Sequence, residues 1–238
     1  MSTLTADSSS ALVRTRTQRP TSGAVEANTR EVLRHIQKSD VYLAVWERSL
    51  PVEAAAYCAR VPAAIHTLDL DITTAIGSAL LAKLSASPFF SDASTDATKG
   101  WLLEDIFELA SEFASLAGSE NVRLRFSKVT DCGCAAFHVD TLSARLLCTY
   151  AGKGTEWADE PDVCRDQLGL RGRTVDEANA AIIPDAARIR TMPTGAVAIF
   201  KGRRWPGSEQ RGLVHRSAPV CCADHARLLL VIDPGLSY

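Results

Sequence analysis

The hydrophobic pattern divides the chain into two parts that differ in predicted secondary structure. Before Gly118, apolar residues recur at helical spacing, and the segment ends at a glycine typical of a helix C-terminus. After Gly118, the apolar runs are short, often β-branched, and separated by Gly, Pro and Asp, which favours strands. The predicted elements are helices over 28–38, 52–60, 73–84 and 96–118, a strand over 41–48, and the strand-like runs NVRLRFSKV, RLLCTYA, GAVAIF, GLVHRSAP and ARLLLVID.

This order predicts one α+β domain over residues 28–238. A mainly helical part covers 28–118, and several short strands over 119–238 are typical of a sandwich, a barrel or a jelly roll. Residues 1–27 are rich in polar residues and predict a disordered tail.

The amino-acid composition argues against some classes of partner but does not identify the function. The chain has 238 residues, 46% hydrophobic content and a formal net charge of −2, so charge does not favour nucleic acid or an anionic membrane. No apolar run approaches the roughly 20 residues that cross a bilayer, and the N-terminus lacks an apolar signal core. The seven cysteines are an odd number, which favours reduced thiols and a cytoplasmic location.

The stretch FHVD contains the first candidate site. On a strand, residues two apart share a face, so His138 and Asp140 could contact one metal ion. His215, in GLVHRSAP, is the candidate third ligand of a facial triad of two histidines and one carboxylate, which leaves metal positions open. On a regular last strand Arg227 shares a face with Leu229 and Val231, and its guanidinium could bind a carboxylate with two hydrogen bonds.

This order of residues over 121–233 resembles the double-stranded β-helix of the Fe(II)/2-oxoglutarate-dependent dioxygenases. The resemblance implies a jelly-roll or cupin-like barrel with the N-terminal helices packed on it. It also implies that His138, Asp140 and His215 bind Fe(II), that Arg227 binds the 2-oxoglutarate co-substrate, and that Tyr150 contacts it through its hydroxyl.

The phrases FHVD, RLLCTY, GTEW and VHRSAP are similar to the bacterial family known as domain of unknown function 1826. This resemblance spans 41–233 and implies the same fold and site without naming a reaction. The phrase usual in that family is Gly-Pro-Gly-Thr-Glu-Trp, and here Lys153 replaces its proline.

Three further residues have two interpretations each. Arg145 precedes a strand and is either a second co-substrate contact or a solvated edge residue. Glu156 and Trp157 follow the turn AGKGT, which lacks the order of a phosphate-binding loop. They either line the mouth of a substrate pocket or anchor the loop.

Cysteine chemistry supplies the main alternative. Cys132, Cys134, Cys221 and Cys222, with His225, contain the ligand types of a zinc site, although their spacing is not that of a standard finger. A cupin-like protein that binds zinc or iron without oxygenase activity is therefore the second hypothesis, and a catalytically empty barrel serving as an interaction module is the third. The substrate, a small molecule or a peptide, is not identified by the sequence.

Overall fold

The structure is a computed structural model that describes residues 23–131, 133–207, 211–219 and 226–235. Ten strands and four α-helices are named below, and short 3-10 helices join several of them. The strands are β1 Ala24–Ala27, β2 Leu43–Trp46, β3 Asp69–Ala75, β4 Asn121–Val129, β5 Ala144–Ala151, β6 Glu156–Trp157, β7 Arg190–Thr191, β8 Val197–Lys201, β9 His215–Arg216 and β10 Arg227–Pro234. The helices are α1 Val52–Ala64, α2 Ser78–Ser85, α3 Ala97–Ala117 and α4 Val175–Ile182.

The strands form two sheets. The larger has seven strands in the order β1-β2-β8-β5-β10-β4-β3, and the smaller has three in the order β7-β6-β9. In the larger sheet every neighbouring pair except β1 and β2 is antiparallel. The α+β class predicted from the sequence is confirmed.

Alternation along β5 and β10 separates the two faces of the large sheet. Leu146, Cys148 and Leu230 belong to the main apolar core, which also contains the buried sides of α1 and α3. Leu147 belongs to a second apolar cluster on the opposite face. Arg145 and Thr149 alternate with Leu146 and Cys148 along β5, so they lie on this second face.

Helix α3 forms as the apolar spacing predicts. The side chain of Asp96 accepts hydrogen bonds from the backbone N–H groups of Thr98 and Lys99 at 2.9 and 3.1 Å, which satisfies two free donors of the first turn. Gly118 ends the helix in the left-handed region, with φ of 63°. The predicted apolar side is buried: Leu102, Leu103, Ile106, Leu109, Ala110, Phe113 and Leu116.

Two predicted boundaries are wrong. The helix predicted over 73–84 is α2 alone, and its first residues belong to strand β3, which alternates exposed and inward side chains and pairs with β4. Residues 24–27 of the predicted tail form β1, which is held by parallel pairing with β2. The rest of that tail lies outside the described residues. Pairing partners distant in sequence supply both strands with hydrogen bonds that local spacing does not reveal.

The small sheet packs on the second face of the large one. Trp157 of β6 joins Leu147, Phe200 and Leu213 in the second apolar cluster. The other side of the small sheet is covered by a third cluster that includes Ile182 of α4. None of the helices in the described ranges has the length and apolar character that a bilayer span requires.

Candidate metal centre

The structure brings His138, Asp140 and His215 together. One ligand atom from each lies within 4.8 Å of the others. Nε2 of His138 is 3.5 Å from Oδ1 of Asp140, and Nε2 of His215 is 3.7 Å from Oδ2 of the same carboxylate. Within the described part of the chain, this is the one group of three such side chains close enough to share an ion.

The backbone explains how residues distant in sequence meet. His138 and His215 form an isolated antiparallel bridge, with two backbone hydrogen bonds of 3.0 Å, so their rings lie side by side with centroids 4.5 Å apart. Asp140 is fixed by a hydrogen bond of 2.9 Å from the backbone N–H of Arg203 to its carbonyl. A Cβ atom at Gly202 would lie 2.2 Å from the carbonyl oxygen of Leu142, so only glycine permits this close approach.

Both imidazoles are oriented by the nitrogen that faces away from the cluster. Nδ1 of His138 donates to the carbonyl of Ala136 at 2.9 Å, and Nδ1 of His215 donates to the carbonyl of Leu213 at 3.1 Å. With the proton on Nδ1, the lone pair of each neutral ring is on Nε2, which points at the carboxylate. A backbone acceptor on the distal nitrogen is the arrangement found around metal-binding histidines.

The charges of the cluster suit a divalent cation. Burial lowers the pKa of His215 to about 4, so this ring is neutral at pH 7. Burial alone would raise the pKa of Asp140, but its contacts with His138, His215 and Arg145 outweigh burial and lower the pKa to about 2. Burial likewise opposes the shift at His138, whose contacts with Asp140 and Ala136 raise its pKa above the ordinary value. Two imidazole nitrogens and one carboxylate fit the facial set of non-haem iron.

Access to the cluster lies on one side. The side chain of His138 is 32% exposed, whereas those of Asp140 and His215 are 10% and 5% exposed. The ring of Phe200 lies 4.7 Å from the ring of His215 and closes the inner side. A ligand therefore reaches the cluster past His138.

Arg145 is inside the site, and its nitrogens are already engaged by protein carboxylates. Nε and Nη2 donate to the two oxygens of Asp233 at 2.6 and 2.9 Å, and Nη1 lies 2.8 Å from Oδ2 of Asp140. Its solvated-edge interpretation is wrong, because the strand turns this side chain inward. The geometry does not support the co-substrate interpretation either, because each nitrogen of the guanidinium already lies within ion-pair distance of a protein carboxylate.

Arg227 has the opposite environment. It is 1% exposed, and Nη2 donates to the hydroxyls of Thr149 and Thr155 at 3.2 Å each. Nε is buried without a hydrogen-bond partner, and the ion pairs found among the described residues do not include Arg227. Burial lowers the pKa of Arg227 to about 10. A buried cation without an anionic partner is costly, so this guanidinium fits an anionic ligand.

Thr149 and Thr155 were missed by sequence reasoning. Thr149 follows Arg145 and Leu147 on the same face of β5, so strand alternation could have found it. Thr155 has no such signal: it follows Gly154, where a Cβ atom would lie only 1.9 Å from the carbonyl oxygen of Met192. This close approach places Thr155 beside Arg227.

The predicted role of Tyr150 is wrong. Strand alternation turns this residue to the helical face of the large sheet, where its ring lies in the main core. Its hydroxyl donates to Oδ2 of Asp105 at 2.5 Å, and Arg48 pairs with the same carboxylate. Tyr150 therefore anchors α3 to the sheet.

Glu156 and Trp157, predicted either to line a pocket mouth or to anchor the loop, face opposite ways. Trp157 pairs with His215 across β6 and β9, so both point toward the large sheet, and the guanidinium of Arg190 stacks 4.3 Å from the centre of the tryptophan ring. Glu156 pairs with Arg216 and forms ion pairs with Arg216 and Lys153 at 2.7 and 2.5 Å. Its carboxylate anchors the loop. A pocket role for Trp157 stays a prediction.

Of the residues proposed for a zinc site, the structure describes only Cys134. Cys134 is exposed and free. Cys132, Cys221, Cys222 and His225 lie outside the described residues.

Fold and site together define a mixed α+β protein with a candidate metal site made of two histidines and one aspartate. The chain belongs to the family described as "Protein of unknown function (DUF1826)", which matches residues 27–233, a longer stretch at the N-terminal side than the resemblance over 41–233. A comparison with curated proteins gives no match.

A comparison with solved structures gives distant matches. One is the dioxygenase for auxin oxidation 1 from Arabidopsis thaliana in a 2-oxoglutarate complex, 10% identical, with 90% of this chain and 92% of that chain covered and a TM-score of 0.47. Another is SnoK, a non-haem α-ketoglutarate-dependent carbocyclase from nogalamycin biosynthesis, 10% identical, with coverage of 92% and 91% and a TM-score of 0.36. At this identity the likeness says nothing of substrate or activity.

Proposed function

We propose that this protein is a non-haem Fe(II)/2-oxoglutarate-dependent oxygenase. In this proposal His138, Asp140 and His215 hold the iron, and Arg227 binds the co-substrate. The observation that carries it is the convergence of two Nε2 lone pairs and one carboxylate, beside a buried arginine that has no anionic partner in the described chain.

The fold we propose for this site is a double-stranded β-helix. Supporting it, the small sheet faces the large one across an apolar cluster shared by Trp157 and Phe200. The bridge between His138 and His215 then lies at the edge of the small sheet, where β9 pairs with β6.

The spacing along β5 supports a diacid between the metal ligands and Arg227. Arg145, which contacts Asp140, and Thr149, which contacts Arg227, are four residues apart on one face of this strand. At about 3.3 Å per residue, they are separated by roughly 13 Å of strand. In this proposal a short dicarboxylate spans the interval between the metal and the guanidinium, and the side chains bridge the rest of it.

Each protein group has a defined part in the reaction. Iron, when bound, supplies oxygen activation coupled to oxidative decarboxylation of 2-oxoglutarate. The backbone carbonyls that accept from Nδ1 of His138 and His215 fix the tautomer and the orientation of each ring, which directs both Nε2 atoms at the site. Arg227 orients the distal carboxylate of the co-substrate, with Thr149 and Thr155 fixing its guanidinium. The inner wall at Phe200 excludes water from one side.

The test is anaerobic titration of the purified protein with Fe(II) and then 2-oxoglutarate, followed by visible absorption. We expect a charge-transfer band of the chelated complex in the wild type. The His138→Ala variant should lose it, because one of three ligands is gone. His66→Ala, which changes an exposed histidine remote from the cluster, is the matched control and should keep the band.

Two negative outcomes separate the rival functions. Folded protein that binds iron or zinc through the same three residues, without the band, would be a cupin-like metal-binding protein without oxygenase activity. Folded protein that binds no metal would leave the barrel as an interaction module. The substrate, a small molecule or a peptide, remains a prediction.

A further inference from the structure

Arg145 contacts two carboxylates with one guanidinium. Its Nε and Nη2 hold Asp233 by a two-point contact, and this fixes the plane of the fork. The remaining terminal nitrogen, Nη1, then lies 2.8 Å from Oδ2 of Asp140. The position of the candidate ligand carboxylate therefore depends on the anchor at Asp233.

The anchor is itself held from both neighbouring strands. Asp233 lies on β10, between β4 and β5, and its side chain is 6% exposed. Arg125 on β4 donates to its Oδ2 at 2.7 Å, while Arg145 donates from β5. Three N–H donors on one carboxylate make this a rigid support.

The two oxygens of Asp140 are not equivalent. Oδ2 is buried and has Arg145 against it, although the angle falls short of a hydrogen bond. Oδ1 lies 3.5 Å from Nε2 of His138, on the exposed side of the cluster, and Oδ2 lies 3.7 Å from Nε2 of the buried His215. We propose that Arg145 is a positioning residue that holds Oδ2 of Asp140, so that a metal ion is bound through Oδ1 alone.

One-oxygen binding has a consequence for the proposed function, on whose metal site this inference rests. A carboxylate that binds through both oxygens occupies an additional metal position. By holding Oδ2, Arg145 keeps that position free for a co-substrate that chelates. Lysine cannot replace it, because a single ammonium group cannot hold Asp233 at two points and reach Asp140 as well.

The test uses Mn(II) alone as the probe, with the full-length protein and without co-substrate. Affinity is measured by titration followed by electron paramagnetic resonance, and metal-bound water by proton relaxation. We expect Arg145→Gln to bind Mn(II) about 10- to 100-fold more weakly, the usual range for loss of a residue that orients a ligand. We also expect one metal-bound water fewer, because the freed carboxylate binds through both oxygens.

Arg125→Gln is the matched control. It removes the same charge from the same Asp233 without touching Asp140, and it should bind Mn(II) as tightly as the wild type or more tightly. If Arg145→Gln does not fold, Arg145→Lys replaces it, with the same two expected changes.

The outcomes separate this inference from the proposed function. Equal affinity and equal water count in the Arg145 and Arg125 variants would overturn the positioning role and leave the metal site standing. Failure of the wild type to bind Mn(II) would overturn both.

Discussion

Replacing Arg227 by methionine should weaken co-substrate binding and stabilise the ligand-free protein at the same time. The two effects have one cause, because this guanidinium is buried without an anionic partner among the described residues. Methionine has a similar length and carries no charge. An ordinary structural arginine would show the opposite effect on stability.

The size of the stability effect follows from the pKa. Burial lowers the pKa of Arg227 from its ordinary value to about 10, so the unfolded chain holds this proton more tightly than the folded one. At about 1.4 kcal/mol per pKa unit, the charged form costs the folded state about 3 kcal/mol at neutral pH. The hydrogen bonds to Thr149 and Thr155 offset part of this. We therefore expect a net gain of about 1–2 kcal/mol in the free energy of unfolding for Arg227→Met.

The binding effect is opposite in sign. Losing the arginine leaves a buried co-substrate carboxylate unpaired, which typically costs about 3 kcal/mol or more, or roughly 100-fold in Kd. Urea unfolding of the metal-free protein measures the first effect, and anaerobic calorimetry with Fe(II) and 2-oxoglutarate measures the second. Arg227→Lys, which keeps the charge, should bind better than the methionine variant without its gain in stability. A methionine variant that is less stable than the wild type, with unchanged 2-oxoglutarate affinity, would refute the reasoning.

Three further predictions concern the surroundings of the site. Burial lowers the pKa of His215 from 6.5 to about 4, so between these pH values the unfolded state takes up a proton and the folded state does not. The free energy of unfolding should therefore fall as the pH drops from 6.5 to 4. A His215→Gln variant whose urea midpoints show the same pH dependence would contradict this. Metal analysis should find the ion lost in His138→Ala and retained in Cys134→Ser, whereas loss in the cysteine variant would favour a thiolate site. Tyr150→Phe should keep the affinity for 2-oxoglutarate. It should reduce the free energy of unfolding by about 1–3 kcal/mol, because the buried Asp105 loses a hydrogen bond. Weaker 2-oxoglutarate binding in a calorimetric titration would show that Tyr150 contacts the co-substrate.

The candidate site was predictable where local geometry decides it. His138 and Asp140 are two residues apart on extended backbone, so they share a face whatever the rest of the fold does. The same alternation places Arg227 with Leu229 and Val231 on one face of β10, since Leu229 and Val231 both pack on the second apolar cluster. It also excludes Tyr150 from the face of Thr149 and Arg145, a consequence that the family resemblance obscured.

Other contacts depend on pairing across the sheet. Asp233 is the last aspartate of an apolar strand, and nothing in its neighbours in sequence marks it as the anchor of Arg145. Its role follows from the position of β10 between β4 and β5. The last residues of the edge strand β3 were predicted to be helical for the same reason, because its partner β4 begins 46 residues after the last residue of β3.

Spacing along the chain was enough to assign the α+β class, the capped helix α3, and a histidine and an aspartate able to act on one ion. The register of the strands decided which arginine contacts two carboxylates and which has none among the described residues. Local spacing determines the direction of each side chain, because it is set by the backbone angles of a few residues. Charge balance in a buried site depends on groups brought together from distant segments, so only the folded chain distinguishes Arg145 from Arg227.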